Sequence, residues 1–181
     1  MRVISGTARG LRLESPDGLD TRPTLDNVKE AIFSMLFDRV YEAQVLDLFS
    51  GSGALGIEAL SRGATGCVFS DFSDKAIGII RRNVEKARLT DKSTVVRSDF
   101  KMCLASLGEQ GKSFDIIFLD PPYAKGFLDE ALVLIQEKGL LNPEGVVVAE
   151  YDNGTDVDIQ GYNQLKSKRY GRVCIDILEA K

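Results

Sequence analysis

Short apolar segments alternate with amphipathic ones along most of the chain, and this alternation is the feature that most restricts its fold. The apolar segments that favour strands are Val45–Phe49, Cys67–Phe69, Thr94–Arg97, Asp115–Leu119 and Val146–Glu150. The segments with helical spacing are Leu55–Ser61, Lys75–Arg88 and Phe127–Glu137. We predict no helix between the strands Thr94–Arg97 and Asp115–Leu119. Continuous apolar strands that alternate with helices are typical of a parallel sheet covered on both faces, so the sequence predicts an α/β fold.

The start of the chain has a different pattern, which predicts a small antiparallel hairpin followed by a helix. Arg2–Ser5 and Leu11–Glu14 are short β segments on either side of the turn Gly6–Gly10. After a connector rich in Pro, Gly and Asp, Thr24 is the expected N-cap of a helix that runs to about Phe37.

The end of the chain also predicts an antiparallel hairpin, because alternating segments lie on either side of Gly171 within Leu165–Glu179. We therefore expect a single domain of 181 residues, with the N-terminal hairpin and connector at 1–22 and the core at 23–181.

The chain contains no histidine. This excludes a Ser-His-Asp triad, a Cys-His protease, an HExxH metal site and a His general base. Cys67, Cys103 and Cys174 form no CxxC motif, so we expect no metal site, no disulfide framework and a cytoplasmic location. No apolar run is long enough to cross a bilayer, and we expect no membrane partner.

Acidic residues stand at the ends of four predicted strands. Asp47 lies within its strand, and Asp71, Asp99 and Asp120 come at or just beyond theirs. Ligands of such sheets bind beyond the carboxyl ends of the strands. The four acids therefore predict a polar pocket for a molecule rich in hydroxyl and amino groups.

A glycine-rich turn follows the first strand of the core. Gly51, Gly53 and Gly56 match the GxGxxG pattern of dinucleotide sites, and Asp71 follows 20 residues after Gly51, where a ribose-binding acid is expected. Asp47, four residues before Gly51, suits the ammonium of a methionine group and would repel a pyrophosphate. The motif therefore favours S-adenosylmethionine over NAD.

A second motif, Asp120-Pro121-Pro122-Tyr123, follows another buried strand at the same predicted edge. Together with the glycine-rich turn, it resembles the amino-methyltransferases that modify exocyclic nitrogens of nucleic-acid bases. The Asp120 carboxylate and a carbonyl near Pro121 could accept hydrogen bonds from the amine and so orient its lone pair. Tyr123 offers an aromatic face on which the base could stack.

The whole chain resembles the RsmD-type bacterial 16S ribosomal RNA guanine-N2 methyltransferases. The segments that carry this resemblance, besides the two motifs above, are Met1–Gly10, Arg22-Pro23-Thr24, Asp26–Phe33, Glu58–Ala64 and Tyr170-Gly171. The resemblance implies a class I methyltransferase fold with a mostly parallel seven-stranded sheet and a C-terminal antiparallel hairpin. It also implies methylation of a guanine N2 amine in 16S ribosomal RNA within small-subunit ribosomal particles. We expect the protein to be a monomer.

The same resemblance implies roles for individual residues at a site for S-adenosylmethionine. The glycine-rich loop, which includes Ser50, would hold the methionine part, Asp71 the ribose hydroxyls and Asp99 the adenine amino group. Phe72 and Phe100 would flank the adenine or belong to the core. Arg22 and Thr24 would lie near the cofactor carboxylate or help to close the site.

Two basic clusters stand out against the net charge of −4. Arg2, Arg9 and Arg12, in the N-terminal hairpin, are the expected contacts to RNA phosphates. Lys166, Lys168, Arg169 and Arg172 are interpreted as a solvated face.

Three other functions are open from the residues alone. An NAD-dependent oxidoreductase would explain the glycine motif and leave Asp120–Tyr123 unexplained. A nucleotide-binding regulatory module would not need Asp120. A DNA adenine-N6 or cytosine-N4 methyltransferase would share the catalytic motif, although the short connections leave little protein to read a DNA sequence.

Overall fold

Alternating strands and helices make up most of the computed structural model, which describes residues 1–16, 23–122 and 126–181. Within these residues the helices are α1 (Pro23–Leu36), α2 (Ala54–Ser61), α3 (Asp74–Lys86), α4 (Phe100–Glu109) and α5 (Phe127–Glu137). The strands are β1 (Gln44–Asp47), β2 (Gly66–Asp71), β3 (Ser93–Arg97), β4 (Phe114–Leu119), β5 (Leu141–Asp152), β6 (Tyr162–Tyr170) and β7 (Val173–Ala180). Short 3-10 helices, Phe37–Val40 and Thr90–Lys92, precede β1 and β3.

All seven strands form one sheet in the order β3-β2-β1-β4-β5-β7-β6. The strands β1 to β5 are parallel to one another, β7 is antiparallel to β5, and β6 is antiparallel to β7. The predicted mostly parallel sheet with a C-terminal antiparallel hairpin is therefore confirmed.

Helices cover both faces of the sheet, as the apolar strands predict. On one face, α1, α2 and α3 contribute buried residues such as Ile32, Ile57 and Ile80 to one core cluster. On the other face, α4 and α5 contribute Leu104 and Leu132 to a second cluster. The strands supply side chains to both clusters, which explains why their sequences are continuously apolar.

The N-terminal hairpin is shorter than predicted. Its two arms form one β-bridge, Arg2 opposite Arg12, so Arg2–Ser5 and Leu11–Glu14 are not full strands. Backbone hydrogen bonds still join the arms, including Val3 N to Leu11 O at 2.9 Å. Val3 belongs to the same buried core cluster as α1, α2 and α3, and this packing holds the arms where the ladder is short.

A buried carboxylate fastens the hairpin to two helices. Glu58, on α2, accepts hydrogen bonds from the backbone N–H groups of Ile4 at 2.9 Å and Ser5 at 3.0 Å. It also pairs with Lys29 of α1 at 3.0 Å and with Arg62 at 2.8 Å. Lys29 in turn donates to the Arg2 carbonyl at 2.5 Å. Glu58 and Lys29 are both buried, so this network replaces the water that each charge loses on folding.

Two local predictions are wrong. The helix α1 begins at Pro23, so Thr24 is its second residue and not its N-cap. Proline favours the first helical position because its fixed φ suits the helix and its missing N–H has no intrahelical partner there. The helix α4 was not predicted, although Asp99 caps it by accepting a hydrogen bond from the Lys101 N–H at 2.9 Å.

Candidate active site

A cavity of about 770 Å³ opens at the carboxyl edge of the parallel strands. Its lining includes residues from the ends of β1, β2, β3, β4 and β5: Phe49, Gly51, Asp71, Phe72, Asp99, Phe100, Asp120, Pro121, Pro122 and Glu150. A smaller cavity of about 160 Å³ shares Gly51, Asp120 and Glu150 with it and extends to Asp47 and Lys29. The larger volume is in the range of sites for small molecules and cofactors.

The glycine-rich turn brings the backbone close to this cavity. Gly51 has a φ of +58° and donates its N–H to Asp71 at 2.9 Å. Gly53, at a φ of +79°, stands at the N-cap of α2. A Cβ on Gly56 would lie 2.3 Å from the Phe69 ring, so this glycine allows α2 to pack directly on β2.

Ser50 has a structural role at the base of the turn. Its hydroxyl donates to the Asp47 carbonyl at 2.5 Å and accepts from the Ser70 N–H at 3.1 Å. Its backbone N–H donates to the Ser70 carbonyl at 3.0 Å. The side chain therefore ties the end of β1 to β2, and a contact with the cofactor stays a prediction.

Asp47 is the most buried acid of the site, with 3% of its surface exposed. One oxygen accepts the Gly56 N–H at 3.0 Å. Burial raises the pKa of Asp47 to about 7, and the nearby Asp120 and Asp71 carboxylates add to the effect. A positively charged ligand group in the smaller cavity would stabilise the ionised form of this carboxyl.

Asp71 and Asp99 lie on the wall of the larger cavity. The two oxygens of Asp71 accept the N–H groups of Gly51 and Ser73, both at 2.9 Å, so the acid shapes the turn as well as facing the cavity. Asp99 is exposed and uses one oxygen to cap α4. Both carboxylates have lone pairs left to accept hydrogen bonds from a ligand.

The two predicted aromatic residues differ in their surroundings. Phe72 is 74% exposed at the mouth of the cavity. Phe100 is 5% exposed and packs between Phe49 and Phe127, at ring-centroid distances of 5.3 Å and 5.2 Å. Phe100 thus belongs to the core while also lining the cavity, and Phe72 is free to cover a bound ring.

Asp120 stands where the two cavities meet, directly after β4. Among the residues that the structure describes, no protein group donates a hydrogen bond to its carboxylate. The Asp120 residue is exposed to the cavity, yet the protein atoms around its carboxyl group replace enough water to raise its pKa to about 6. Pro121 and Pro122 follow it on the cavity wall.

Glu150 is a site residue that the sequence reasoning missed. It lies on β5 beside Asp120 and lines both cavities. Burial, followed by the Asp120 charge, raises the pKa of Glu150 to about 8. The available signal was its place at the end of the apolar run Val146–Ala149, which is the pattern of the other four acids.

Other predicted site residues cannot be placed. Arg22 and Tyr123 lie outside the described residues, and so does the Thr24 side chain. Their roles stay predictions.

The three hairpin arginines are exposed but not equivalent. The Arg2 side chain is 70% exposed, and its Nε lies 4.0 Å from the Asp26 carboxylate, which partly neutralises it. Arg9, in the turn, and Arg12, opposite Arg2, are both exposed. Neither forms an ion pair with an acid in the part of the chain that the structure describes.

The C-terminal basic cluster is more engaged than a simple solvated face. Lys166 donates to the Met35 carbonyl at 2.7 Å, and Arg172 pairs with Asp152 at 3.2 Å. Both contacts attach the final hairpin to the rest of the chain, so fewer of these charges are free for a partner.

In the described part of the chain, no cluster of three His, Cys, Asp or Glu side chains could hold a metal ion. The helices within those residues are also too short or too polar to cross a membrane.

The strand order, the glycine-rich turn after β1 and the acid after β4 together define a class I, Rossmann-like methyltransferase fold. The family described as conserved hypothetical protein 95 matches residues 1–179, and the chain belongs to this family. This finding confirms the resemblance to the RsmD family.

Three similar proteins support this assignment. YlbH of Bacillus subtilis (strain 168), described as a candidate rRNA methyltransferase, is 43% identical over 87% of this chain and 85% of its own. Ribosomal RNA small subunit methyltransferase D of Escherichia coli (strain K12) is 34% identical over 96% of this chain and 86% of its own. The solved structure of yhhF from Escherichia coli, described as a candidate methyltransferase, has a TM-score of 0.88 at 33% identity, and the match covers 100% of this chain and 98% of that one.

Proposed function

We propose that the protein transfers a methyl group from S-adenosylmethionine to the exocyclic N2 amine of a guanine in 16S ribosomal RNA of the small ribosomal subunit. Relatives named for ribosomal RNA methylation support the class of substrate. The observation that carries the reaction is the Asp120 carboxylate, which meets both cavities and accepts no hydrogen bond from the described residues.

The residues present fit S-adenosylmethionine. Asp47 is a buried carboxylate in the smaller cavity, and an ammonium would compensate its charge. Asp71 and Asp99 line the larger cavity as acceptors for ribose hydroxyls and an adenine amine. Phe72 is free to cover the adenine ring. When bound, S-adenosylmethionine supplies an electrophilic methyl group on a sulfonium.

Asp120 would act by orienting the amine. The lone pair of an exocyclic amine is delocalised into the base, so the nitrogen is a weak nucleophile. Two hydrogen bonds from the NH2 group, to Asp120 and to a carbonyl near Pro121, would turn that lone pair toward the methyl group. The nitrogen would gain the methyl group as the carbon–sulfur bond of the sulfonium breaks, with S-adenosylhomocysteine as the leaving group. The nitrogen would then release one proton, which the Asp120 carboxylate can accept. No covalent enzyme intermediate is needed.

The substrate is proposed to be bound through local charge. The net charge of −4 disfavours general attraction to RNA, so the contact would come from the exposed Arg9 and Arg12 of the hairpin. An assembled small-subunit particle would present one nucleotide to the cavity, where Tyr123 would stack on it. We propose that the enzyme acts as a cytoplasmic monomer of one domain.

A methyl-transfer assay tests the proposed function. The purified protein is incubated with S-adenosylmethionine labelled in the methyl group and with small-subunit particles that lack the modification. The RNA is then digested to nucleosides. We expect the label in N2-methylguanosine of 16S RNA. Label in N6-methyladenosine or N4-methylcytidine would contradict the guanine assignment, and no label in RNA would contradict the function.

A charge reversal tests the RNA contact. Replacing Arg9 and Arg12 by Glu should weaken binding to the particles and flatten its salt dependence, because each arginine neutralises about one phosphate. The affinity for S-adenosylhomocysteine should not change. Replacing Lys168 and Arg169 by Glu is the matched control. Unchanged methylation of particles by the hairpin variant at physiological salt would show that the hairpin is only structural.

A further inference from the structure

Glu150 is placed to face the same ligand as Asp120. In the β4–β5 pairing Leu119 lies opposite Ala149, so the next residue of each strand, Asp120 and Glu150, stand side by side at the carboxyl edge. Both residues line the larger and the smaller cavity. Two adjacent carboxylates therefore face the place where the proposed function puts the base.

The Glu150 side chain is not used to hold the fold together. Within residues 1–16, 23–122 and 126–181 it takes part in no hydrogen bond or ion pair, and it is only half-buried. Other acids near this edge do stabilise the fold. Asp71 accepts a hydrogen bond from the Gly51 N–H, and Asp99 accepts one from the Lys101 N–H. A half-buried carboxylate beside another carboxylate is unfavourable in the empty protein, so its presence needs a reason in the complex.

The bases that carry exocyclic amines differ in the group next to that amine. In guanine, the N2 amine is followed by N1–H, which is a donor. In adenine and cytosine, the amine is followed by the N1 or N3 lone pair, which is an acceptor. An ionised carboxylate only accepts hydrogen bonds, so it pairs with the N1–H of guanine and repels the other two bases.

We propose that Glu150 is a specificity-determining residue that accepts a hydrogen bond from guanine N1–H while Asp120 holds the N2 amine. This inference rests on the proposed function, since it assigns the base to the same cavity. It explains why two acids, and not one, stand side by side here, one directly after β4 and one within β5. It also separates guanine-N2 methylation from adenine-N6 and cytosine-N4 methylation, which the Asp120–Tyr123 motif alone does not.

The protonation state of Glu150 then affects the reaction. The charged groups that line the two cavities with it are Asp120, Asp47, Asp71, Asp99 and Lys29, together with the Met1 residue. Burial, and then the Asp120 charge, raises the pKa of Glu150 to about 8 in the empty protein. The kcat/KM for guanine should therefore rise with pH through about 8, because the accepting form is the ionised one.

The test uses a base that keeps the amine and lacks the adjacent donor. Small-subunit particles are reconstituted with guanosine or with 2-aminopurine riboside at the methylated position, which is mapped beforehand. The wild-type protein should methylate the guanosine particle at least about tenfold faster at limiting substrate concentration, because Glu150 would face a lone pair in 2-aminopurine. Glu150→Gln can donate to that lone pair and should reduce the preference to about threefold or less.

Three controls keep this test decisive. Glu144→Gln is the same change on an exposed residue of β5, about 20 Å along the strand, and should keep the wild-type preference. Glu150→Asp keeps the charge and should retain part of the preference. Melting curves and the affinity for S-adenosylhomocysteine should show that Glu150→Gln is folded.

Two results would overturn the inference. The first is equal methylation of both particles by the wild-type protein. The second is a folded Glu150→Gln variant that keeps both the wild-type preference for the guanosine particle and the wild-type pH profile. A failure of the proposed function is distinguishable from both, since the wild-type protein would then leave the guanosine particle unmethylated at N2.

Discussion

The buried pair of Lys29 and Glu58 should be a major contributor to stability. The Glu58 carboxylate has no exposed surface. It accepts three hydrogen bonds, from two hairpin N–H groups and from Arg62, and it forms an ion pair with Lys29 at 3.0 Å. Glu58→Gln would replace one acceptor oxygen by a donor and leave the Lys29 ammonium buried without its partner charge. Breaking a buried pair in this way costs about 3–5 kcal/mol. For a domain of this size, that loss lowers the Tm by roughly 6–20 °C.

The effect should also depend on pH. Burial already lowers the pKa of Lys29, and only Glu58 and Asp26 oppose this shift. In Glu58→Gln the pKa of Lys29 falls further, so the folded protein binds fewer protons than the unfolded chain up to the ordinary lysine pKa. Stability then rises with pH in that window. The free energy of unfolding of the variant should therefore recover partly as the pH rises toward 10.5, the ordinary lysine pKa.

Urea unfolding followed by circular dichroism measures these changes. Glu85→Gln, an exposed acid on α3, is the control and should stay within about 0.5 kcal/mol of wild type. The double variant with Lys29→Met should be less destabilised than the sum of the two single variants, because the two residues are in contact. A Glu58→Gln protein as stable as the Glu85→Gln control would refute the argument.

Three further predictions concern the site. Asp120→Ala should abolish most of kcat while S-adenosylhomocysteine still binds in calorimetry, because its role is to orient the amine; near-normal turnover on competent particles would exclude that role. Gly56→Ala should destabilise the protein by roughly 1–3 kcal/mol in urea, because its Cβ would lie 2.3 Å from the Phe69 ring; a stability gain typical of Gly to Ala in a helix would contradict the packing. The pKa of Asp47, raised to about 7, means that the folded protein binds more protons than the unfolded chain between about pH 4 and 7, so the cofactor-free protein should lose stability as pH rises. Asp47→Asn should remove roughly 2 kcal/mol of the fall between pH 5 and 8, and identical pH profiles would count against the shift.

The sequence predicts the sheet because its strands are apolar on both faces. Strands such as Phe114–Leu119 are buried on both sides, so almost all of their residues are apolar. An amphipathic helix has no such continuous apolar run. The prediction of α5 agrees residue for residue with the structure, at Phe127–Glu137.

The missed helix α4 had a readable signal. Phe100, Cys103, Leu104 and Leu107 are buried at helical spacing, directly after the cap Asp99. Assigning Asp99 and Phe100 to a ligand hid that these residues also begin a helix. One residue can serve both purposes, because the start of a helix after a strand is where ligands of this fold approach.

The parts of the candidate site that depend on residues adjacent in the sequence were predictable. The acids at the ends of β1, β2 and β4 and the glycine-rich turn line the two cavities, while their roles toward a ligand stay predictions. The pairing of Asp120 with Glu150 was not predictable, because it depends on the register of β4 against β5. The partial neutralisation of Arg2 by Asp26 likewise follows from how the hairpin lies on α1.

Mapping ribosomal RNA from cells that lack this protein tests the central claim most directly. Mass spectrometry of 16S RNA fragments from such cells should show the loss of a single N2-methylguanosine. Restoring the wild-type protein should restore the methyl group, and restoring Asp120→Ala should not. A 16S RNA whose methylated guanines are all unchanged in the absence of the protein would contradict the account.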